Sequence, residues 1–327
     1  MPTRWGVAGT GWMAAAFLDD FAHVPDAELV AIGSRAPDRA QAFASARGAV
    51  AMTYADVVAA DLDVLYVATP HPQHRDLAVA ALDHGLPVLV EKAFTATLDG
   101  AREVVAAARG SAVFCMEAMW TRLQPAVATA RELVAAGEIG EVTAVHADLG
   151  AYRPYDPSHR LFAPELGGGA VLDLGVYPIS FAQHFLGTPE RVTASGSLFP
   201  NGTDAGASLL LSYDDGRAAA LSTSLQAATG VRATIIGTRG SIEVGPEFHH
   251  PTRLVVRRRG EPAREIDAPA LGRGYSHEII HVGQCLADGL TESPLVPLDD
   301  TLGVQWVMQG ALEQLGVTPV EGTVDLA

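Results

Sequence analysis

The chain opens on Arg4-Trp5-Gly6-Val7-Ala8, a short apolar strand pattern, and passes at once into Gly9-Thr10-Gly11-Trp12-Met13-Ala14. Few local patterns constrain a fold as tightly. Gly9 permits a tight turn, Gly11 lets backbone approach a diphosphate, and small Ala14 lets a helix pack closely on the preceding strand. The helix that begins there offers unpaired amides and a positive dipole end to phosphate oxygens. A glycine-rich loop alone is weak evidence, but this one has a strand before it and a helical pattern after it. It predicts a βαβ unit that binds a dinucleotide, with Gly9, Thr10, Gly11, Trp12 and Met13 around the cofactor.

The following strand, Glu28–Gly33, ends in Ser34-Arg35, where an NAD-preferring site usually carries an acid for the ribose hydroxyls. Arg39 stands four residues after Arg35, so the two can share one helix-start face. Guanidinium groups make charge-assisted bonds to phosphate. Ser34, Arg35 and Arg39 therefore predict NADP, with NAD less preferred, although the arginines also read as exposed residues, one pairing with Asp38. Strand Leu62–Ala68 runs into Thr69-Pro70-His71-Pro72-Gln73-His74. Thr69, Pro70, His71 and His74 are expected at the cofactor's edge. A metal is the minor reading, since two prolines interrupt the loop and no cysteine or carboxylate accompanies the histidines. Helix Arg75–His84 closes on Gly85, and Leu86-Pro87-Val88-Leu89-Val90-Glu91-Lys92-Ala93 reads as a buried parallel strand ending in an acid and a lysine. Alone, that ending reads first as two solvated charges. In an open α/β sheet, however, ligands bind beyond the strands' carboxyl ends, which is where Glu91 and Lys92 emerge. A helix over Leu98–Arg109 and a strand over Ala112–Cys115 complete the alternation, which predicts a doubly wound parallel sheet.

Met116-Glu117-Ala118-Met119-Trp120-Thr121-Arg122 closes that Rossmann domain at residues 1–122, leaving 123–327 as a second, α+β domain. A helix over Pro125–Ala136 and a strand over Val142–Tyr152 lead into Gly167-Gly168-Gly169-Ala170-Val171-Leu172-Asp173-Leu174-Gly175-Val176-Tyr177. Asp173 and Tyr177 are four apart, so a helix places them on one face. Each has an ordinary alternative, a helix-start charge and a core tyrosine. His184 reads as a structural, partly buried histidine. Strand patterns follow at Val192–Phe199, Ala207–Tyr213, Ala218–Leu225, Val231–Ile236, Ser241–Val244 and Leu254–Arg258, with Asp214-Asp215-Gly216 as a hairpin signal. They predict a largely antiparallel open sheet. Helices near Ser276–Asp288 and Asp299–Leu315 end the chain. His277 and His281 have metal-capable spacing but lack the acid motif of a metalloprotease, so no metal is expected.

Composition narrows the function. A formal net charge of −16 argues against nucleic acid or an anionic membrane as main partner. With 48% apolar and 18% charged residues the chain describes a folded, enzyme-sized protein. Cys115 and Cys285 are far apart, which indicates neither a disulfide framework nor a thiolate zinc site. No apolar run reaches spanning length and no signal-peptide pattern precedes the first strand, so a cytoplasmic protein is expected.

Taken together, Gly9–Ala14, Thr69–His74, Glu91-Lys92 and Gly167–Tyr177 resemble the Gfo/Idh/MocA oxidoreductase family over essentially the whole length. The match is closest to its branch of dimeric dihydrodiol dehydrogenases and NADP-dependent D-xylose dehydrogenases. Arg35 with Arg39, His71-Pro72-Gln73-His74, Met116–Arg122 and Asp173–Tyr177 carry that closer likeness. Two positions depart from the usual pattern. Ala93 replaces the proline of the family's Glu-Lys-Pro, and Tyr177 stands where most members have histidine, as in the dihydrodiol branch. The resemblance implies reversible hydride transfer between a nicotinamide and a carbinol carbon of a cyclic sugar, polyol or trans-dihydrodiol. Tyr177 would be the acid/base, Lys92 would favour its phenolate, and Asp173 would orient Lys92 or a substrate hydroxyl. Trp120, Arg122 and Tyr152 would line the substrate wall. A homodimer or higher homo-oligomer is implied through the open sheet. An inositol or anhydro-sugar dehydrogenase of the same family, or a non-catalytic NADP-binding regulator, are the alternatives.

Overall fold

The computed structural model describes residues 1–326, which divide into two compact units. The first begins with β1 (Thr3–Ala8), α1 (Trp12–Asp19), β2 (Ala27–Gly33), α2 (Pro37–Ser45), β3 (Val50–Met52) and α3 (Tyr54–Val58). It continues through β4 (Val64–Val67), α4 (His74–Asp83), β5 (Val88–Glu91), α5 (Leu98–Ser111) and β6 (Cys115–Ala118). Its six strands lie in the order β3-β2-β1-β4-β5-β6, every neighbouring pair parallel. Strand order reverses between β1 and β4, so the crevice for a ligand lies beyond the carboxyl ends of those strands. Both β4 and β5 are buried along their full length, as a strand covered by helices on both faces requires.

Two local expectations are corrected here. Strand β6 begins at Cys115 rather than Ala112. Helix α5 runs on to Ser111, and Ala112 then takes a left-handed cap (φ 54°), which consumes the residues expected to start the strand. Met116, Glu117 and Ala118 are therefore strand, not connection. Strand β3 went unpredicted because three residues, with Val50 exposed, show no period.

The second unit contains α6 (Pro125–Ala135), β7 (Val142–Gly150), a π-helical turn over Val171–Gly175, α7 (Val176–Leu186), β8 (Arg191–Leu198), β9 (Asp204–Ser212) and β10 (Ala218–Ser224). Then come β11 (Ala233–Gly237), β12 (Gly240–Val244), β13 (Arg253–Arg258) and β14 (Arg264–Asp267). These strands form one sheet in the order β14-β13-β12-β11-β7-β10-β9-β8. All its neighbours are antiparallel except β10 and β7. Helix α7 packs on β7 and β10. Along β9, Ser208 and Leu210 alternate with buried neighbours and are exposed.

The chain then returns. Helix α8 (Tyr275–Ala287) belongs to the first unit, as do residues 271–302 and the tail from Val320, whereas residues 303–319 belong to the second. The last helix, α9 (Leu298–Leu315), contributes its first turn to one unit and the rest to the other. A single break at 122 does not describe this. The buried Asp20 carboxylate accepts the Arg273 and Ser276 amides at 2.9 and 3.0 Å, and Leu298 joins the first unit's core. Helical periodicity carries no record of which sheet a helix returns to. Among the described residues no helix is long and apolar enough to cross a membrane.

Candidate active site

The turn after β1 has the geometry its glycines foretold. Gly9 has φ +127°, and a Cβ there would run into the Ala68 carbonyl oxygen at the end of β4. Gly11 caps α1 without any side-chain bond, and the space where its Cβ would stand is open. Ala14 is fully buried and Trp12 is 71% exposed. Beside this turn, Thr69 Oγ1 is shielded from solvent and has no hydrogen-bond partner among the described residues. An uncapped helix end, an open approach to it and a waiting hydroxyl fit a dinucleotide.

At the end of β2, Ser34 is buried and its Oγ accepts the Ala36 amide at 3.3 Å. Arg35 and Arg39 both act on the phenol of Tyr54, which burial raises and the two cations lower. Tyr54, at the start of α3, was not anticipated. It follows the short β3, so no sequence pattern tied it to the arginines.

His74 joins the two loops that follow β4 and β5. Its Nε2 lies 2.7 Å from Thr69 O, and its Nδ1 lies 3.0 Å from Ala93 O. Burial pushes the imidazole down to about 4, while the surrounding carbonyls pull the other way. We read His74 as a staple that holds the loop carrying Lys92. His71 is also buried, edge-on to His74 with centroids 5.8 Å apart. The Lys92–Ala93 peptide, where the proline is replaced, is cis. Glu91 faces inward. It accepts the Tyr66 hydroxyl at 2.6 Å and the Lys92 amide at 3.1 Å, so its place is in the support of the loop. The buried Glu278 carboxyl is pushed well up by burial and by the neighbouring Glu91 and Glu117.

In the second unit, the Gly-rich stretch makes a wall. Gly169 has φ +121°, and a Cβ there would collide with the Asp204 carboxylate. Asp204 accepts the Val171 amide at 2.7 Å and so fixes the start of the π-helical turn. Asp173, in that turn, pairs with Arg160 at 3.0 Å. Tyr177 lies one turn on, in α7 and only 8% exposed, so sequence spacing did bring the two onto one segment. Trp120 Nε1 donates to the Tyr177 hydroxyl at 3.2 Å. The His249 ring lies 5.2 Å from that of Tyr177, and the loop is fixed by Thr121 Oγ1 donating to His249 O at 2.8 Å. His249 and its neighbours Glu247 and His250 were missed because they sit in an irregular loop between β12 and β13.

Other candidates settle differently. Arg122 was expected on a substrate wall, but its buried guanidinium donates to Ser180 Oγ at 3.0 Å and to Gln183 Oε1 at 3.1 Å, bracing α7. Tyr152, beyond the end of β7, is 58% exposed. Burial, with Arg122 and Arg131 nearby, pushes His184 down to about 3, so its ring is uncharged at neutral pH. His277 accepts the Leu271 amide and His281 bonds Ser293, so their helical spacing serves local structure.

Residues 3–119 match the family model "Oxidoreductase family, NAD-binding Rossmann fold", and residues 127–243 match "GFO/IDH/MocA C-terminal domain". The trans-1,2-dihydrobenzene-1,2-diol dehydrogenase of Xenopus tropicalis is 36% identical, covering 97% of this chain and 99% of that one. The D-xylose 1-dehydrogenase (NADP(+)) of Hypocrea jecorina is 34% identical, with 96% and 92% covered. In fold, the chain is similar to levoglucosan dehydrogenase solved with NADH and levoglucosan, at a TM-score of 0.88 and 21% identity, with 97% and 98% covered. The protein belongs to the GFO/IDH/MocA oxidoreductase family. It is an NAD(P)-dependent dehydrogenase.

Proposed function

We propose that the enzyme prefers NADP and interconverts a carbinol and a carbonyl on a cyclic sugar, polyol or trans-dihydrodiol, with Tyr177 as acid/base and Lys92 as the assisting cation. The relatives named above support the substrate class, and one carries NADP in its name. The observation that carries the mechanism is the Trp120 N–H aimed at the Tyr177 oxygen at 3.2 Å. A hydrogen bond donated to that oxygen is strengthened when the oxygen bears charge, so it favours the phenolate that a general base needs.

Gly9, Gly11 and the first turn of α1 would hold the diphosphate, Thr69 and His71 the cofactor's edge, and Arg35 and Arg39 the 2′-phosphate. The nicotinamide, when bound, supplies hydride transfer. The chain's own work is to orient the carbinol and handle one proton. Tyr177 takes the hydroxyl proton in oxidation and returns it in reduction. Lys92 compensates the negative charge that appears, and Asp173, steadied by Arg160, orients a neighbouring substrate hydroxyl. The test is NADPH absorbance in both directions against aldoses, inositols, anhydro-sugars and trans-dihydrodiols. Turnover confined to one cyclic polyhydroxy class, faster with NADP than NAD, supports the assignment. Tight NADP binding without turnover on any of them contradicts it.

A further inference from the structure

The loop between β12 and β13 brings together three donors that the reaction above does not use. The His250 amide donates to Glu247 O at 2.8 Å and closes a turn that holds the three residues together. Glu247 has a left-handed backbone (φ 61°), uncommon for a residue with a side chain. Glu247 Oε2 lies 3.7 Å from Nε2 of His249 and 3.7 Å from Nε2 of His250. One donor atom from each of the three lies within 4.8 Å of the others. The two imidazole rings are 4.4 Å apart at 76°.

We infer that Glu247, His249 and His250 form a binding site for a zinc-class divalent cation beside the Tyr177–Trp120 pair. Zinc bonds to imidazole nitrogen and carboxylate oxygen are about 2.0–2.2 Å, which places tetrahedral donors roughly 3.3 Å apart. The two carboxylate–imidazole spacings need a few tenths of an ångström of closure, and the two imidazole donors, within 4.8 Å of each other, need at most about 1.5 Å; the Glu247 carboxylate, 53% exposed, is able to move. Two nitrogens and one oxygen select borderline d-block ions. Magnesium and calcium want a set of oxygens, which the loop does not offer. Three protein ligands leave a position open to water or a substrate oxygen. The site is anchored, not floppy. Thr121 holds the His249 backbone, and the Trp120 ring stands 5.4 Å from His250. A cation here would fix the His249 ring, which lies against Tyr177, and so would tie occupancy of the site to the substrate wall.

The probe is cobalt(II), titrated into the tag-free full-length chain after chelator treatment and followed by its visible absorbance. One equivalent should saturate an intense low-symmetry band, and zinc should displace it. Glu247→Gln and His250→Ala should each weaken binding at least ~10-fold, since loss of even an outer-shell partner of a metal ligand costs that much. Zinc should raise the melting temperature of the wild type and not of the variants. Melting in chelator controls for folding, and Glu247→Gln, on an exposed side chain, decides the matter should His250→Ala prove unstable. Absence of a cobalt band up to ~1 mM, or a band that neither substitution weakens tenfold, overturns the proposal.

Discussion

Replacing Asp204 by asparagine separates the charge of this side chain from its shape. Asp204 is fully buried, holds the Val171 amide, and has a second oxygen, Oδ1, without a hydrogen-bond partner among the described residues. Burial pushes its carboxyl from 3.8 up to about 6, against the Val171 and Ala170 amides that pull it down. At about 1.4 kcal/mol per tenfold change in proton affinity, that rise corresponds to roughly 3 kcal/mol. The sign follows from linkage. Below about pH 4 the carboxyl is protonated in folded and unfolded chains alike and costs nothing. From there to about pH 6 the unfolded chain loses its proton first, stability falls, and the loss persists at higher pH. Asparagine cannot ionise, so Asp204→Asn should lack that fall. Relative to wild type its melting temperature should climb by several degrees, at most about 10 °C, between pH 4 and 7.5. Calorimetry on both proteins across that range measures it, following the transition of the second unit. Turnover should survive, because an asparagine oxygen can still accept the Val171 amide. Parallel melting curves for the two proteins across the whole pH range would refute the reasoning.

Other outcomes follow from the same structure. Arg35→Ala with Arg39→Ala should weaken NADP far more than NAD, by about 1.5–3 kcal/mol for each lost charge-assisted contact before non-additivity; fluorescence titration with both nucleotides reads this, and an equal loss for both would sink the assignment. Glu278→Gln should stabilise the first unit at pH 8 and leave it little changed at pH 4, because a carboxyl whose proton affinity is raised on folding loses stability as pH rises above its ordinary range. Denaturation at the two pH values checks this, and a variant less stable at pH 8 contradicts it. Leu210, exposed on the eight-stranded sheet with Ser208 beside it, marks a face that a second copy would cover, so light scattering at micromolar concentration should give a dimer mass, and a monomer mass would count against that interface.

What could be seen in the sequence was local. Gly9–Ala14 announced its own turn, and the structure shows why each position is small: Gly9 faces the Ala68 carbonyl and Ala14 is buried. The β–α alternation gave the parallel sheet, and the hairpin at Asp214-Asp215-Gly216 joined its two strands as expected. Contacts over long separations were not visible. Trp120 and Tyr177 are 57 residues apart, and no periodicity links an indole on a short turn to a phenol on α7. Asp204 lies 33 residues from the amide it holds. Glu91 was expected beside Lys92 at the cofactor site, and its bond from Tyr66, 25 residues earlier on the neighbouring strand, was not visible for a related reason. The return of α8 to the first unit rests on Asp20, more than 250 residues upstream of its amide partners.

The central claim is that Tyr177 moves the proton. Tyr177→Phe keeps the ring against His249 and deletes only the hydroxyl that Trp120 addresses. On the substrate found by the screen, kcat should fall by ~10²–10⁴ while NADP affinity and melting temperature hold. Lys92→Met should do comparable damage, and the double variant should be little worse than either alone, since groups acting as one unit are not additive. Near-normal kcat for Tyr177→Phe, with the pH profile of the wild type, would contradict the account.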